Sequence, residues 1–467
     1  HPYTGRIVTW TEKEKQTVDD AIATKLLAAN AGFVLDNDES GEVVTSQINS
    51  VTGGIELYGP ESQSIGMSTR KGLTAGLFGD SFSARNSTAG SNCRDLDWGY
   101  YAWMQGFLGA PFRLVVNAGV SGNRTDQMLA RITDVTSYSP DWVFVQGGIN
   151  DIAYGTTAAQ IIANLKSICI QLANKGIQVV LLTVAPNTQA AGNSTKVQTI
   201  NQGLREWING GGGKGVILVD TYSAMVNPTV TTGALASGMS DDSLHPSAKG
   251  ARAMGQAIAN ALQYLLPSRN FLPSSNGESY GVDSTSRQIL DNPLLSSGGG
   301  SPTGTGASGT LPTSWLGSTG GSGATSAVFS TPARSDGFGN DAQIVVSGAA
   351  ASSSVNVRQS GFGARMAIGD TVYVCGQVTI SGAADIKNIN IGATVTIDGT
   401  TYQINTLEAS GTTNFDQSNV TLTLRSNEFT LTGASITAST FVASVTFGTS
   451  GTGAATIKFG RMGMYKK

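Results

Sequence analysis

A short acidic segment carries a histidine that could supply a general base. Of the 467 residues only two are histidine, and His1 is terminal, so acid–base chemistry by an imidazole would depend on His245. Asp242 lies three residues before it, in the sequence DSLH. A carboxylate at this spacing can accept from Nδ1–H, fix the tautomer and leave Nε2 to take a proton from a serine hydroxyl. Asp241 competes for this role, and the three-residue spacing favours Asp242.

Three further candidate positions each follow an apolar run that is typical of a buried strand. Ser81 ends the segment GLFGDS, Gly122 lies in VSGN, and Asn150 lies in QGGIND. A serine here could act as a nucleophile, a glycine could bring its N–H close to a ligand, and an asparagine amide could donate to an oxyanion. Taken singly, a helix N-cap serine, a turn glycine and a turn asparagine are ordinary interpretations. Asp151 is expected to cap a helix or hydrogen-bond locally rather than react.

An alternation of strand and helix patterns over residues 73–265 would position these side chains. Five short apolar runs predict buried strands, at 73–78, 112–117, 142–146, 177–183 and 215–220. Helical patterns follow them, at 96–108, 126–133, 158–174, 195–208 and 247–265. This alternation predicts a parallel sheet with helices on both faces. Because ligands of such sheets bind at the carboxyl ends of the strands, we expect the candidate residues to meet at that edge.

Four segments, in this order, resemble the sequence blocks of the SGNH (GDSL-type) hydrolase family: GDS (79–81), SGN (121–123), GIND (148–151) and DSLH (242–245). The resemblance covers residues 73–265, less than half of the chain. It implies a flavodoxin-like three-layer α/β fold and metal-free ester hydrolysis without a cofactor.

The resemblance also implies a role for each candidate residue. Ser81 would be the nucleophile, His245 the general base and Asp242 the residue that orients His245. The oxyanion hole would comprise the Ser81 N–H, the Gly122 N–H and the Asn150 side chain. Serine attack on an acyl carbonyl would give an acyl-enzyme, which water then hydrolyses.

Composition and charge exclude several other classes of protein. A formal net charge of −3 argues against a nucleic-acid binder, which needs a basic stripe. The 60 glycines lack the triplet period of collagen, and no apolar run is long enough to predict a membrane-spanning helix. Three cysteines and two histidines give no disulfide framework and no zinc pattern. No signal peptide is visible, and a chain that starts at His1 is expected to be a processed or cloned fragment.

The composition divides the chain into three predicted parts. Residues 1–70, with a helical pattern over 12–29 and a β-prone stretch over 43–58, are predicted to be an N-terminal adaptor or wrapping segment. Residues 71–267 would form the hydrolase domain. Residues 268–467 alternate like strands and are rich in Gly, Ser and Thr, which predicts a jelly-roll-like β-sandwich. Within it, Asp398-Gly399 predicts a two-residue hairpin, and we interpret 296–326 as ordered rather than as a flexible linker.

A hydrolase domain between an adaptor and a β domain is similar in architecture to an enzymatic bacteriophage tail spike or tail fibre. That similarity implies an extracellular homotrimer on the virion tail. Its partner and substrate would be an acetylated bacterial polysaccharide, either capsule or O-antigen. We therefore predict a serine esterase that removes O-acetyl groups, without nucleic-acid binding or membrane insertion. The alternatives are a secreted SGNH esterase or lipase on small acyl esters, and a non-catalytic receptor-binding fibre.

The C-terminal domain would bind carbohydrate or serve for trimerisation. Five of its aromatic residues could stack on sugar rings: Trp315, Tyr373, Tyr402, Phe415 and Tyr465. Burial in a core is nevertheless the commoner role of such residues, and it is the one we expect here.

Overall fold

A computed structural model of the chain describes residues 46–48, 55–58, 64–66, 73–88, 93–187, 193–267, 271–282, 287–409, 411, 414–415 and 419–467. The helix predicted over 12–29 lies outside these residues, as does much of the stretch 43–58. Three short strands near the N-terminus, Ser46–Ile48 (β1), Ile55–Tyr58 (β2) and Ser64–Gly66 (β3), form one antiparallel sheet. The adaptor role of residues 1–70 stays a prediction.

The next region contains seven strands: Thr74–Gly79 (β4), Ser87–Thr88 (β5), Cys93–Leu96 (β6), Arg113–Gly119 (β7), Trp142–Gln146 (β8), Gln178–Leu182 (β9) and Val216–Val219 (β10). Five of them form a parallel sheet in the order β10-β9-β8-β4-β7. Numbered along the chain, this order is 2-1-3-4-5, which is the flavodoxin-like arrangement. The predicted α/β fold is confirmed.

Helices connect these strands: Ser81–Ala84 (α1), Tyr100–Leu108 (α2), Thr125–Ala130 (α3), Thr133–Thr136 (α4), Ile149–Ala153 (α5), Ala158–Ala173 (α6), Asn193–Asn209 (α7), Thr221–Met225 (α8) and Ala248–Leu262 (α9). In α6 the side chains of Ile161, Leu165, Ile168 and Leu172 are all buried, as the helical period predicts. The inner strands β8 and β9 are apolar along most of their length because the helices cover both faces of the sheet. No helix among the described residues is long and apolar enough to cross a membrane.

The C-terminal region consists mostly of strands: Gly298–Gly300 (β11), Ala307–Gly309 (β12), Leu311–Pro312 (β13), Leu316–Gly320 (β14), Ala324–Ser330 (β15), Asp341–Ala349 (β16), Ser354–Ser360 (β17), Thr371–Ala384 (β18), Ile386–Ile397 (β19), Thr400–Glu408 (β20), Val420–Arg425 (β21), Phe429–Thr430 (β22), Ile436–Phe447 (β23) and Gly453–Lys466 (β24). Two short 3₁₀ helices, Asn276–Glu278 and Gly363–Arg365, lie beside them. Asp398 and Gly399 both have positive φ and join β19 to β20, so the predicted hairpin is confirmed.

Most of these strands belong to two seven-stranded sheets whose inner faces share one hydrophobic core. One sheet has the order β12-β15-β16-β24-β18-β21, with β22 beside β18, and the other has the order β14-β17-β23-β19-β20-β6-β5. The all-β character predicted for this region is therefore confirmed. Strand β14, with the sequence LGSTG, carries almost no apolar alternation, so its sequence pattern does not indicate a strand.

The second sheet includes two strands that the chain contributes just after Ser81. Strand β6 pairs in parallel with β20, and β5 pairs with β6. The sequence predicted a helix from residue 96, but the chain is extended up to Leu96 and α2 begins at Tyr100. The reason is a long-range pairing with β20, which a local pattern does not reveal.

Side chains reinforce this junction between the α/β and β regions. Arg94 Nη1 donates to Glu408 Oε1 at 2.7 Å, and Asn427 Nδ2 donates to Asp95 Oδ1 at 2.8 Å. Trp103 of α2 is almost completely buried, and its ring centroid lies 5.8 Å from that of Phe415. The two regions thus share a sheet and a core, while the predicted division at residue 267 stays a prediction.

We expect Trp103→Ala to destabilise both regions together. The substitution leaves a large cavity in the shared core, which typically costs about 3–5 kcal/mol. Differential scanning calorimetry should show a single transition for both regions, shifted to lower temperature. Trp207→Ala, on the partly exposed side of α7, is the matched control and should shift that transition much less. Two separate transitions, with only one of them sensitive to Trp103, would contradict a common core.

Candidate active site

The turn from β4 into α1 places Ser81 at the carboxyl edge of the parallel sheet. Asp80 is the N-cap of α1, and its Oδ1 accepts from the Phe82 N–H at 2.9 Å. A side chain on Gly79 would collide with the carbonyl oxygen of Gln146, so the close approach of β4 to β8 requires glycine there. Ser81 therefore begins the helix with its N–H outside the intrahelical hydrogen bonds.

A chain of hydrogen bonds connects Ser81 to the loop before α9. His245 Nε2 lies 2.8 Å from Ser81 Oγ, and His245 Nδ1 lies 2.6 Å from Asp242 Oδ2. The other carboxylate oxygen, Asp242 Oδ1, accepts from the N–H groups of Leu244 at 3.0 Å and His245 at 2.7 Å. Of the two adjacent aspartates, Asp242 is thus the one that contacts the imidazole, whereas Asp241 lies against Gly411 of the β region.

The hydrogen bonds to Asp242 keep it ionised. Partial burial alone would raise the pKa of Asp242, but the His245 ring and the two backbone N–H groups outweigh it and lower the pKa to about 2. An ionised carboxylate accepts from Nδ1–H and so favours the tautomer in which Nε2 carries the lone pair. This tautomer lets Nε2 accept the proton of Ser81 Oγ, as a general base must.

The donors predicted for an oxyanion hole lie in adjoining segments. Asn150 Nδ2 donates to the carbonyl oxygen of Asn123 at 3.0 Å and lies 3.4 Å from Asp80 Oδ2, which joins the Gly122 loop to the residue before Ser81. Gly122 is exposed and has a φ of +80°, which favours glycine. Within the described part of the chain, neither the Ser81 N–H nor the Gly122 N–H has an acceptor.

The neighbouring glycine of β7 is not equivalent to Gly122. The Gly119 N–H donates to Asn117 Oδ1 at 3.1 Å, and a side chain on Gly119 would collide with the backbone of Ala84. Gly119 therefore packs β7 against α1, and the N–H that is left for a ligand belongs to Gly122.

Arg131 joins three parts of this site, and no sequence motif pointed to it. Its Nη2 donates to the carbonyl oxygen of Gly79 at 2.7 Å, and its Nη1 donates to that of Ala118 at 2.7 Å. Its Nε donates to Asn123 Oδ1 at 2.6 Å. One guanidinium thus fixes the ends of β4 and β7 and the loop that carries Gly122. A lone arginine in a helical pattern gives no local signal of such contacts, because its acceptors come from distant segments.

Two buried carboxyl groups, those of Asp151 and Asp80, lie beneath the surface of the site. Asp151 accepts from the Thr125 N–H at 2.9 Å and from Thr125 Oγ1 at 2.6 Å, and so caps the start of α3, as expected. Asp80 is fully buried. Its burial, with the charge of Asp151 adding to the effect, raises the pKa of Asp80 from 3.8 to about 7 despite the opposing Phe82 N–H.

The aromatic residues considered for sugar stacking lie in the β region and pack against protein. Trp315 and Phe415 are buried. Tyr373 stacks on Tyr465 with ring centroids 5.6 Å apart, and Tyr402 lies 5.4 Å from Phe429. Among the described residues, no group of three or more His, Cys, Asp or Glu side chains is arranged to hold a metal ion.

Residues 77–253 match the family model described as the GDSL-like Lipase/Acylhydrolase family. This part of the chain is a GDSL-type (SGNH) hydrolase domain. The match spans 38% of the 467 residues and includes Ser81, Gly122, Asn150, Asp242 and His245. The hydrolase domain is therefore similar to a family of lipases and acylhydrolases. No curated protein matches the chain.

Several solved structures are similar to this hydrolase domain. An acetylxylan esterase from Geobacillus stearothermophilus shares 21% identity, covers 43% of this chain and 98% of its own, and has a TM-score of 0.34. A GDSL-like lipase from Bacteroides thetaiotaomicron has 21% sequence identity and a TM-score of 0.33, and the match covers 42% of this chain and 89% of the lipase. An alpha/beta hydrolase from the metagenome of Lake Arreo has 22% sequence identity and a TM-score of 0.35, and the match covers 44% of this chain and 100% of that hydrolase. Such low identities and scores carry no substrate over to this chain.

We expect Arg131→Met to lower kcat of the hydrolase domain by up to about 100-fold, because a small misplacement of the catalytic groups is enough for such a loss. KM should change little, since Arg131 is bonded to protein atoms and not aimed at a ligand. Steady-state kinetics on triacetin, with circular dichroism to check the fold, measure both effects. Arg205→Met, which breaks a surface pair with Asp220, is the matched control. An unchanged kcat in the Arg131 variant would show that the hydrogen bonds of Arg131 do not position the catalytic groups.

The raised pKa of Asp80 predicts a pH-dependent stability. Between about pH 4 and pH 7 the folded protein holds a proton that the unfolded chain has released, so the contribution of Asp80 to stability falls as pH rises through this window. Asn cannot titrate. The free energy of unfolding of Asp80→Asn, relative to the wild type, should therefore increase from pH 4 to pH 7 in urea titrations. A difference that does not vary with pH would contradict a buried, protonated Asp80.

Proposed function

We propose that the protein is a serine esterase that removes O-acetyl groups from a bacterial surface polysaccharide. The observation that carries this proposal is the hydrogen-bonded series from Ser81 Oγ to His245 Nε2 at 2.8 Å and from His245 Nδ1 to Asp242 Oδ2 at 2.6 Å. A serine hydroxyl is a weak nucleophile until an adjacent base takes its proton, and this geometry supplies that base.

The reaction proceeds through an acyl-enzyme. Ser81 Oγ attacks the acetyl carbonyl carbon while His245 Nε2 takes the hydroxyl proton, and Asp242 stabilises the imidazolium. The carbonyl oxygen becomes an oxyanion that accepts from the Ser81 N–H, the Gly122 N–H and Asn150 Nδ2, which exchanges its long 3.4 Å contact with Asp80 Oδ2 for the oxyanion. The imidazolium then protonates the sugar oxygen as the ester C–O bond breaks. Water, deprotonated by His245, attacks the acetyl-serine. The imidazolium returns the proton to Ser81 Oγ as the acyl–Oγ bond breaks and acetate leaves.

The surroundings of Ser81 support a short acyl group on a hydroxyl-rich substrate. Polar groups lie near it: the Asn123 carbonyl oxygen and Asn150 Nδ2 beside the residue before Ser81, and Asp242 beyond His245. Arg85 Nη2 lies 3.7 Å from Asp242 Oδ2, and its guanidinium lies over the Trp98 ring. A long acyl chain requires an apolar channel, whereas polar groups of this kind suit the hydroxyls of a sugar.

The biological setting is part of the proposal. We place the esterase on a bacteriophage tail spike that is extracellular and homotrimeric, with an acetylated capsule or O-antigen as its partner. What supports this setting is the order of the parts, a hydrolase domain followed by a sandwich rich in Gly, Ser and Thr. The β region would serve for trimerisation or carbohydrate binding.

We expect Ser81→Ala to reduce acetate release by at least about 1,000-fold, because the nucleophile is lost while the oxyanion donors remain. The assay is the loss of O-acetyl methyl signals in NMR spectra of candidate capsule and O-antigen preparations. Ser167→Ala, on the outer side of α6, is the matched control and should retain activity. Substantial turnover by the Ser81 variant would contradict the mechanism. Activity restricted to aryl esters, rising with acyl length, would instead favour an esterase or lipase of small esters.

A further inference from the structure

An exposed tyrosine stands directly after the helix that carries Asn150. Tyr154 is the C-cap of α5, and 74% of its surface is accessible. Its N–H donates to the carbonyl oxygen of Asn150 at 3.1 Å, so the two residues are one helical turn apart. Residues at this spacing lie on the same face of a helix, about 5–6 Å from one another. Tyr154 is therefore a neighbour of the oxyanion donor on the surface of the site.

A stacked arginine holds the tyrosine ring. The Arg124 guanidinium lies 4.5 Å from the centroid of the Tyr154 ring. Arg124 is itself fixed, because its Nε and Nη2 donate to the two carboxylate oxygens of Asp126 at 3.0 Å and 2.9 Å. It also follows Asn123, whose carbonyl oxygen accepts from Asn150 Nδ2. The stacked guanidinium thus restricts the ring before any ligand binds, which lowers the entropy that binding must overcome.

Exposed aromatic rings beside a catalytic serine have a known physical use. A pyranose ring presents a face of C–H groups, which packs against the face of an aromatic side chain while the sugar hydroxyls stay in water. The distance between Asn150 and Tyr154, about 5–6 Å, is of the order of one sugar unit. A sugar stacked on Tyr154 would therefore be the neighbour of the unit whose ester reaches Ser81.

We infer that Tyr154 is the platform of a subsite that binds the pyranose ring flanking the acetylated unit of a glycan chain. The inference rests on the proposed function and adds to it that the substrate is an oligomer or polymer bound across at least two sugar rings. Tyr154 touches the flanking sugar and not the reacting atoms, so it determines specificity rather than chemistry.

The chain offers a matched control for this subsite. Tyr138 is also exposed, with 58% of its surface accessible, but it precedes β8, which begins at Trp142. It therefore lies at the amino ends of the strands, at the opposite edge of the sheet from Ser81. Tyr138→Ala removes another exposed tyrosine without touching the proposed subsite.

The experiment compares two substrates across four variants. The substrates are the O-acetylated polysaccharide that the wild type deacetylates and triacetin, which has no ring. In Tyr154→Ala, the ratio of kcat/KM on the polysaccharide to kcat/KM on triacetin should fall about 3- to 10-fold, chiefly through KM, as expected for one lost stacking contact. Tyr154→Phe and Tyr154→Trp should keep the wild-type ratio because they keep a ring, and so should Tyr138→Ala.

The outcomes separate this inference from the function on which it rests. An unchanged ratio in Tyr154→Ala, or an equal loss on both substrates with circular dichroism showing an intact fold, would overturn the subsite. A wild type that hydrolyses triacetin but no polysaccharide would overturn the proposed function itself. If the ratio of kcat/KM on the polysaccharide to kcat/KM on triacetin also fell in Tyr154→Phe, the effect would belong to the hydroxyl, and a stacking platform would be excluded.

Discussion

The hydrogen bond between Ser81 Oγ and His245 Nε2 joins two residues 164 positions apart, and the α/β fold closes that distance. Ser81 follows β4 next to the centre of the parallel sheet, while His245 stands on the loop before α9. In a flavodoxin-like strand order, the loops at the carboxyl ends of the central strands come together at one edge. Gly79 lets β4 pack closely against β8, and Arg131 bonds the end of β4 to the end of β7. These contacts hold the ends of the three strands close together.

The electrostatics of the site follow from where its carboxyl groups lie. Asp242 is partly exposed and accepts hydrogen bonds from the His245 ring and from the N–H groups of Leu244 and His245, so it stays ionised beside the imidazole. Asp80 is fully buried next to the nucleophile, and its raised pKa favours a neutral carboxyl group there. Two aspartates at one catalytic edge thus differ because one is solvated and hydrogen-bonded, whereas the other has lost its water.

Local signals explain which features the sequence could predict. Ser81, Gly122 and Asn150 lie in short motifs after apolar runs, and Asp242 and His245 lie together in a short acidic segment. The structure brings these residues to one edge of the sheet. Arg131 was missed because its acceptors come from three separate segments of the chain, and no local pattern connects an arginine with them. The strand β6 was missed because its partner β20 lies far along the chain. The same segment between Ser81 and α2 carries Arg85, which lies 3.7 Å from Asp242 Oδ2 and over the Trp98 ring, so the β region also supports the site.

The central claim is that Ser81 is a nucleophile activated by His245 and Asp242. The most direct test is covalent labelling with a fluorophosphonate, which reacts with activated serines, followed by intact-mass and peptide mass spectrometry. The account predicts one adduct per chain, on the peptide that contains Ser81, with labelling strongly slowed in His245→Ala. An enzyme that hydrolyses esters while Ser81 stays unlabelled, or that carries its adduct on another residue, would contradict it.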